Sequence, residues 1–220
     1  MEFTPSVSDA INATAAEYGI DPAFMGRVAE IESSGAPSLP KGSHRGLFQL
    51  SPEVWQKFGS GDIYNPLDNA RAAARYLAAN RARFVQRFGR DPSQTELYLA
   101  HQQGMGGLTA HLTNPDAPAW RNMAGTADGR ARGEQWSKQA IWGNIPDPMK
   151  SLFGDVRNVT GRNFIDLWRA IIEGGISTDR PFPFPRPRPP SAPRGVLEQH
   201  LADSGAPLSG ATDSSCRSPA

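Results

Sequence analysis

A single cysteine, Cys216, is all the thiol chemistry this chain has, and it lies in a polar C-terminal stretch. One thiol closes no intramolecular disulfide, and with no cysteine cluster there is no zinc–thiolate site. The four histidines, His44, His101, His111 and His200, show none of the i, i+4 pairing that holds a metal on a helix face. Neither a metal nor a cofactor is therefore expected. Long apolar runs are also missing, so no integral membrane segment is expected. The start, Met1-Glu2-Phe3-Thr4-Pro5, has neither a basic n-region nor an apolar h-region, and no secretory signal is visible in it. Charge of one sign is missing too: the net charge is +1 over 220 residues. From Asp179 onward there are five arginines and four acidic residues, leaving eighteen of each sign before that point. Nothing in this balance favours nucleic acid or an anionic membrane, although a local basic groove remains open. There is no internal repeat.

What is present is helical periodicity. A first helix, capped by Ser6 or Ser8, is expected to run to about Tyr18. Asp21-Pro22 is a strong start signal, because the carboxylate caps free N–H groups and proline suits the first helical position. Phe24, Val28 and Ile31 then recur at helical spacing. Ser51-Pro52 opens a short helix holding Val54, Trp55 and Phe58. Asn65-Pro66 precedes the longest periodic segment, Leu67 to Phe88, whose stripe is Leu67, Ala70, Ala74, Leu77, Ala78, Phe84 and Phe88. Asp91-Pro92-Ser93 starts a helix to about Gln103, which Gly104 to Gly107 is expected to break. Glycine, proline and asparagine weaken the signal from Thr113 to Gly133. Glu134 to Trp142 and a segment around Phe164, Leu167, Trp168 and Ile171 close the helical part. Pro181 to Pro193 reads as extended polyproline, followed by a polar disordered end.

Three segments carry chemistry. Ile31-Glu32-Ser33-Ser34-Gly35 ends a helix, and Glu32 extends its apolar face, formed by Met25, Val28 and Ala29. Burial disfavours a charged carboxylate, and the negative end of the helix dipole acts in the same direction. A raised pKa is what a carboxyl group needs to protonate a leaving oxygen near neutral pH. A lone glutamate at a helix end is ordinarily a surface residue. Here, however, Gly46-Leu47-Phe48-Gln49 follows after a short loop and Ala100-His101-Gln102-Gln103-Gly104 comes later, in that order.

The ordered trio resembles the soluble lytic transglycosylases, relatives of goose-type lysozyme that cleave peptidoglycan strands. The resemblance covers about Ser6 to Ile145. It implies a mainly α, lysozyme-like helical domain with a substrate cleft. It also implies that Glu32 is the single catalytic acid/base. Glu32 would protonate the glycosidic oxygen, then take the proton of the muramoyl C6 hydroxyl as that oxygen attacks C1, leaving a 1,6-anhydro sugar. The substrate's own acetamido group would stabilise the cation in place of a second carboxylate. Ser33 matches the residue that orients the acid or the substrate, with ordinary helix-end polarity as the alternative. Gly46 is expected to let the backbone approach the sugar. Gln49 offers a donor and an acceptor to acetamido and hydroxyl groups. Phe48 packs on a sugar face or, the reading preferred here, fills the core.

The third segment departs from the family pattern Ala-Tyr-Asn-x-Gly, having His101 for the tyrosine and Gln102 for the asparagine. A charged imidazolium beside Glu32 would lower its pKa, whereas a neutral ring could still donate a hydrogen bond. Tyr98, one turn earlier on the same face, either supplies the missing phenol or, as is commoner, is a core aromatic. Asp62 is the nearest candidate for a second carboxylate and is better read as a polar loop residue. The helix containing Asn69 to Leu77 is read as packing.

These readings give a catalytic domain over residues 1–145, a helical extension over 146–178 and a proline-rich disordered tail over 179–220. The expected activity is cleavage of the MurNAc–GlcNAc β-1,4 bond in peptidoglycan by a monomer. A hydrolytic muramidase is the nearest alternative. A non-catalytic wall-binding part of a secretion apparatus or phage tail is the alternative from another class. The site of action would be the periplasm or cell wall, reached by a specialised export system, in a virion, or with a leader absent from this sequence. A secretion-apparatus or virion partner follows from the same reasoning.

Overall fold

The computed structural model describes residues 3–38 and 42–174; the proline-rich run and the polar end expected after Asp179 lie outside the described residues. Several helices begin where the sequence offers a side-chain cap. Helix α1 spans Pro5–Tyr18 with Thr4 as its N-cap, a few residues before the expected serines. Helix α2 spans Pro22–Ser33, and the Asp21 side chain accepts from the Ala23 N–H. Helix α3 is Pro52–Phe58, capped by Ser51. Helix α4, Pro66–Phe88, is capped by Asn65, whose side chain accepts from Leu67 and Asp68. Helix α5, Gln94–Gln102, opens on a reciprocal capping box between Ser93 and Glu96.

The later chain is more helical than its composition suggests. Helices α6 (Gly104–Thr113), α7 (Ala119–Ala124), α8 (Ala127–Trp142) and α9 (Asp147–Lys150) follow in close succession. The expected glycine break is a single joint. Gln103 and the first residue of α6, Gly104 at φ +70°, form the joint with α5, while Gly106 and Gly107 lie inside α6. Gly107 is there for contact, since an added Cβ would stand 2.7 Å from Met123 Sδ. Helix α8 contains the expected 134–142 stretch and is kinked just before it, at Gly133 (φ 87°). A short 3₁₀ turn, Val156–Asn158, leads to α10, Gly161–Ile172, opened by a Thr160–Asn163 capping box.

The described residues are mainly α-helical. Their only β pairing is two isolated bridges, Arg45 with Leu50 and Pro118 with Thr160. Helix α4 runs through the middle, packing on α1, α3, α5 and α6. It is therefore buried on more than the single expected stripe: Ala72 and Ala73 are buried with Ala70, Ala74, Leu77 and Phe84, whereas Ala78 is exposed. Small side chains on two sides let neighbouring helices close on it. The core runs without interruption from Val7 to Ile172. Helix α10 packs on α2, α5 and α6, and Glu173 at its end accepts from both the backbone N–H and the hydroxyl of Thr95 in α5. No described helix is long and apolar enough to cross a membrane.

Candidate active site

Glu32 sits in the last turn of α2, two residues before Ser34 ends the helix in a left-handed conformation at φ 52°. Met25, Val28 and Ala29 on its face are fully buried, and the Glu32 side chain is itself only 13% exposed. Ser33 turns the other way. Its hydroxyl is 2.8 Å from the Leu47 carbonyl and 3.2 Å from that of Ala29. That contact ties the end of α2 to the loop holding Gly46 to Gln49.

The loop is a small hairpin. Arg45 and Leu50 exchange two backbone hydrogen bonds, and the Gln49 N–H donates to the Gly46 carbonyl. Gln49 is held at φ 45°, with its side-chain amide donating to the same Gly46 carbonyl at 2.8 Å. Asn69 of α4 reaches into the hairpin, accepting from the Phe48 N–H at 2.8 Å and donating to the Ile63 carbonyl at 3.0 Å. Gly46 is at φ 79°, and an added Cβ would meet Asn69 Nδ2 at 2.0 Å and the Ile63 carbonyl at 2.4 Å. Its missing side chain makes room for Asn69. Asn69, read from sequence as packing, is the anchor of the loop.

Helix α5 supplies the opposite side. The Tyr98 hydroxyl donates to Glu32 Oε1 at 3.2 Å, and Gln102, one turn on, donates its amide to the Tyr98 oxygen at 3.0 Å. Gln103 in turn donates to Gln102 Oε1 at 3.1 Å. His101 Nε2 lies 3.7 Å from Glu32 Oε1. Tyr98 is 1% exposed; it is a core aromatic and the phenol beside Glu32 at once. Burial, and then the Glu32 charge, push the Tyr98 phenol well above its usual range, so it keeps its proton.

These groups line a concavity of about 660 Å³. Glu32, Gln49, Tyr98, His101 and Gln102 line it; Ser33 and Phe48 do not. Both are buried, at 2% and 0% exposed, and act by holding the loop rather than facing the open volume. Four further elements of the lining were not singled out from sequence: His44, Tyr76, Trp168 of α10 and the turn from Gly143 to Pro148. Trp168 packs on Tyr98 with ring centroids 4.9 Å apart, and Tyr76 packs on His101 at 5.7 Å. Asp62 is exposed, spends its carboxylate on the Tyr64 N–H and is absent from the lining. The other carboxylate on the lining, Asp147, is 90% exposed and paired with Lys150. No described cluster of His, Cys, Asp or Glu has the make-up of a metal site.

Burial, with a smaller contribution from His44, lowers the His101 pKa to about 4. The ring beside Glu32 is therefore neutral at pH 7. Burial alone brings His111, on α6 and packed against Phe164 of α10, to about 4 as well. Both values lie below the ordinary ~6.5, so the unfolded chain binds more protons between pH ~6.5 and ~4. Stability is complete above that window and falls as the pH drops through it, by at most roughly 3 kcal/mol per histidine. Urea midpoints measured at pH 7.5 and pH 4.5 should differ accordingly, and the His111→Gln variant should show a smaller difference.

A mainly helical domain carrying an enclosed carboxyl group at a helix end, opposite a hydrogen-bonded tyrosine, is consistent with the lysozyme-like helical folds. The transglycosylase SLT domain family matches residues 9–122, more than half of the sequence. The chain belongs to that family. It is also similar to a protein named transglycosylase from Enterobacteria phage PRD1, with 34% identity over 77 residues. That alignment takes in 34% of this chain and 29% of the phage protein, so the chain spans less than a third of that relative's length. The family match ends before α8, α9 and α10, which supply Trp168 and the Gly143–Pro148 side of the concavity.

Proposed function

We propose that this protein is a peptidoglycan lytic transglycosylase in which Glu32 serves in turn as general acid and general base. The observation that carries the reading is the pairing of one enclosed carboxyl group with the Tyr98 phenol in a concavity whose lining holds no second buried carboxylate. Hydrolysis by retention or inversion uses two carboxyl groups flanking the bond. With one, the second step falls to an internal nucleophile. Glu32, enclosed at the negative end of α2, protonates the glycosidic oxygen between MurNAc and GlcNAc. The resulting carboxylate takes the proton of the muramoyl C6 hydroxyl as that oxygen closes on C1, giving a 1,6-anhydro end. The proton Glu32 gives up in the first step is restored in the second, so no water is consumed.

In this reading the substitution of the family's tyrosine by His101 is offset within the same helix. Tyr98 supplies the phenol one turn earlier and Gln102 holds its oxygen. The neutral His101 packs beside Glu32 without a charge to keep the carboxylate ionised. Gln49 lines the same concavity and holds the hairpin beside the bound strand through its bond to the Gly46 carbonyl. The site of action is the cell wall, reached by specialised export, in a virion or by way of a leader.

Tyr98→Phe tests the arrangement. Losing a hydrogen bond to a charged partner costs about 1.5–3 kcal/mol, so cleavage of purified peptidoglycan should fall about 10- to 150-fold. The fold should persist, because the ring stays against Trp168. An unchanged rate would remove Tyr98 from the site.

A further inference from the structure

A second concavity, of about 850 Å³, lies between α4, α6, α7 and α8. Arg83, Arg87, Arg121 and Arg130 line it, and no acidic residue does. All four are exposed. Arginines elsewhere in the described residues are mostly spent on carboxylates: Arg27, Arg71, Arg81, Arg90, Arg157, Arg162 and Arg169 each have an acidic partner. Among the described residues, none of the four lining arginines has one. Arg130 donates to the Gly125 carbonyl, Arg121 lies over the Trp120 ring, and Arg83 reaches only the Asn80 side-chain oxygen, at 3.5 Å. Like charges gathered without counter-charges repel one another, and that cost is recovered when an anion enters.

The position of the groove limits the anion. Tyr76, which lines the Glu32 concavity, and Arg83 are seven residues apart on α4, two turns and about 10 Å along one face. Arg87 is one turn further on the same face. On the other side, Gln102 lines the first concavity and Met105 the second, with only the Gln103-Gly104 joint between them. The two hollows are thus neighbours along the same pair of elements. The arginine groove has no aromatic residue in its lining, and so offers no platform for the base stacking by which single-stranded nucleic acid is held. Its neutral members, among them Gln86, Thr109 and Asn114, are hydrogen-bonding groups suited to peptide amides.

We propose that this groove binds the carboxylate groups of the peptide stems carried by the glycan strand held at Glu32. The guanidinium fork matches a carboxylate bidentately. A stem hangs from a muramoyl unit, and the neighbouring hollow is where a stem next to the scissile bond is met. The groove then favours stem-bearing strands over naked ones. The choice of anion rests on the glycan reading of the Glu32 site, whereas the presence of a carboxylate site does not.

The test uses the full chain and the free wall tetrapeptide, which carries the carboxylates and no sugar. Titrated by NMR or calorimetry, the tetrapeptide should bind the wild type. It should bind Arg83→Gln/Arg87→Gln and Arg121→Gln/Arg130→Gln at least tenfold more weakly, and its amidated form should bind the wild type at least tenfold more weakly. Added salt should weaken it further. Thermal midpoints should not fall, because the arginines replaced are exposed, have no acidic partner and repel one another. Equal affinity for wild type and variants, or binding of inorganic polyphosphate in place of the tetrapeptide, would overturn the proposal. On glycan strands, the variants should be slowed only where stems are present; equal slowing on strands stripped of stems would also overturn it. Wild type that binds the tetrapeptide through these arginines yet cleaves no strand would instead refute the Glu32 reading and leave the carboxylate site standing.

Discussion

Glu32→Gln should abolish cleavage of purified peptidoglycan while leaving the fold intact. Proton transfer by a positioned general acid or base contributes about 10²–10⁴-fold, and in a one-carboxylate mechanism the same group serves both halves of the reaction. A fall of about 10³-fold or more is therefore expected. Glutamine keeps the size of the side chain and can still accept from Tyr98, which donates at 3.2 Å in the native protein. The variant should accordingly bind insoluble peptidoglycan as the wild type does, and thermal unfolding should change little. Retention of more than a tenth of the activity would show that another group supplies the proton. Unchanged biological activity together with retained wall binding would favour a binding or structural role for the domain.

The second large effect is on stability. Gly46→Ala puts a side chain at φ 79°, where L residues are strained by about 1–2 kcal/mol. It also drives a Cβ to 2.0 Å from the Asn69 amide and 2.4 Å from the Ile63 carbonyl. Asn69 is fully buried and holds the Phe48 N–H, so it has nowhere to go without giving up that bond. A loss of about 3 kcal/mol or more is expected, read as the shift in denaturant midpoint. Gly46→Ala/Asn69→Gly should recover little of it, because the Ile63 carbonyl still stands 2.4 Å from the added Cβ and the Phe48 N–H loses its acceptor. A single variant as stable as the wild type would mean that the hairpin does not depend on the Asn69 anchor.

The parts of this protein that could be read from its sequence are those set by neighbours in the chain. Asp21-Pro22, Asn65-Pro66 and Asp91-Pro92-Ser93 mark helix starts because a cap is a local bond. Glu32 and Gln49 stood out because the residues around them form short motifs, and both line the same concavity. The glycines of α6 misled because Gly107 answers to Met123, sixteen positions away, and no local rule reports such a contact. Spacing alone puts Ala78 on the buried stripe, but α4 is packed from several sides and its exposed strip falls there instead. Trp168 and the Gly143–Pro148 turn enter the site from beyond the motif-bearing region, and nothing in their own composition marks them. For Tyr98 the sequence offers two alternatives, the phenol beside Glu32 or a core aromatic, and cannot show that it is both, because that depends on how α2 and α5 approach. Phe48 fills the core, the preferred of its two sequence readings, and Ser33 secures the loop through the Leu47 carbonyl, a contact between elements that its motif position does not report.

The most direct test of a Glu32-centred transglycosylase is digestion of purified peptidoglycan in ¹⁸O-water, with the released fragments analysed by mass spectrometry for wild type and Glu32→Gln. Ring closure by the C6 oxygen predicts anhydro-ended fragments, one water lighter than reducing-ended ones, without ¹⁸O, and released by the wild type alone. Reducing-ended fragments carrying ¹⁸O would show that water is the nucleophile and contradict the one-carboxylate mechanism. Equal release by Glu32→Gln would contradict the role of Glu32 itself.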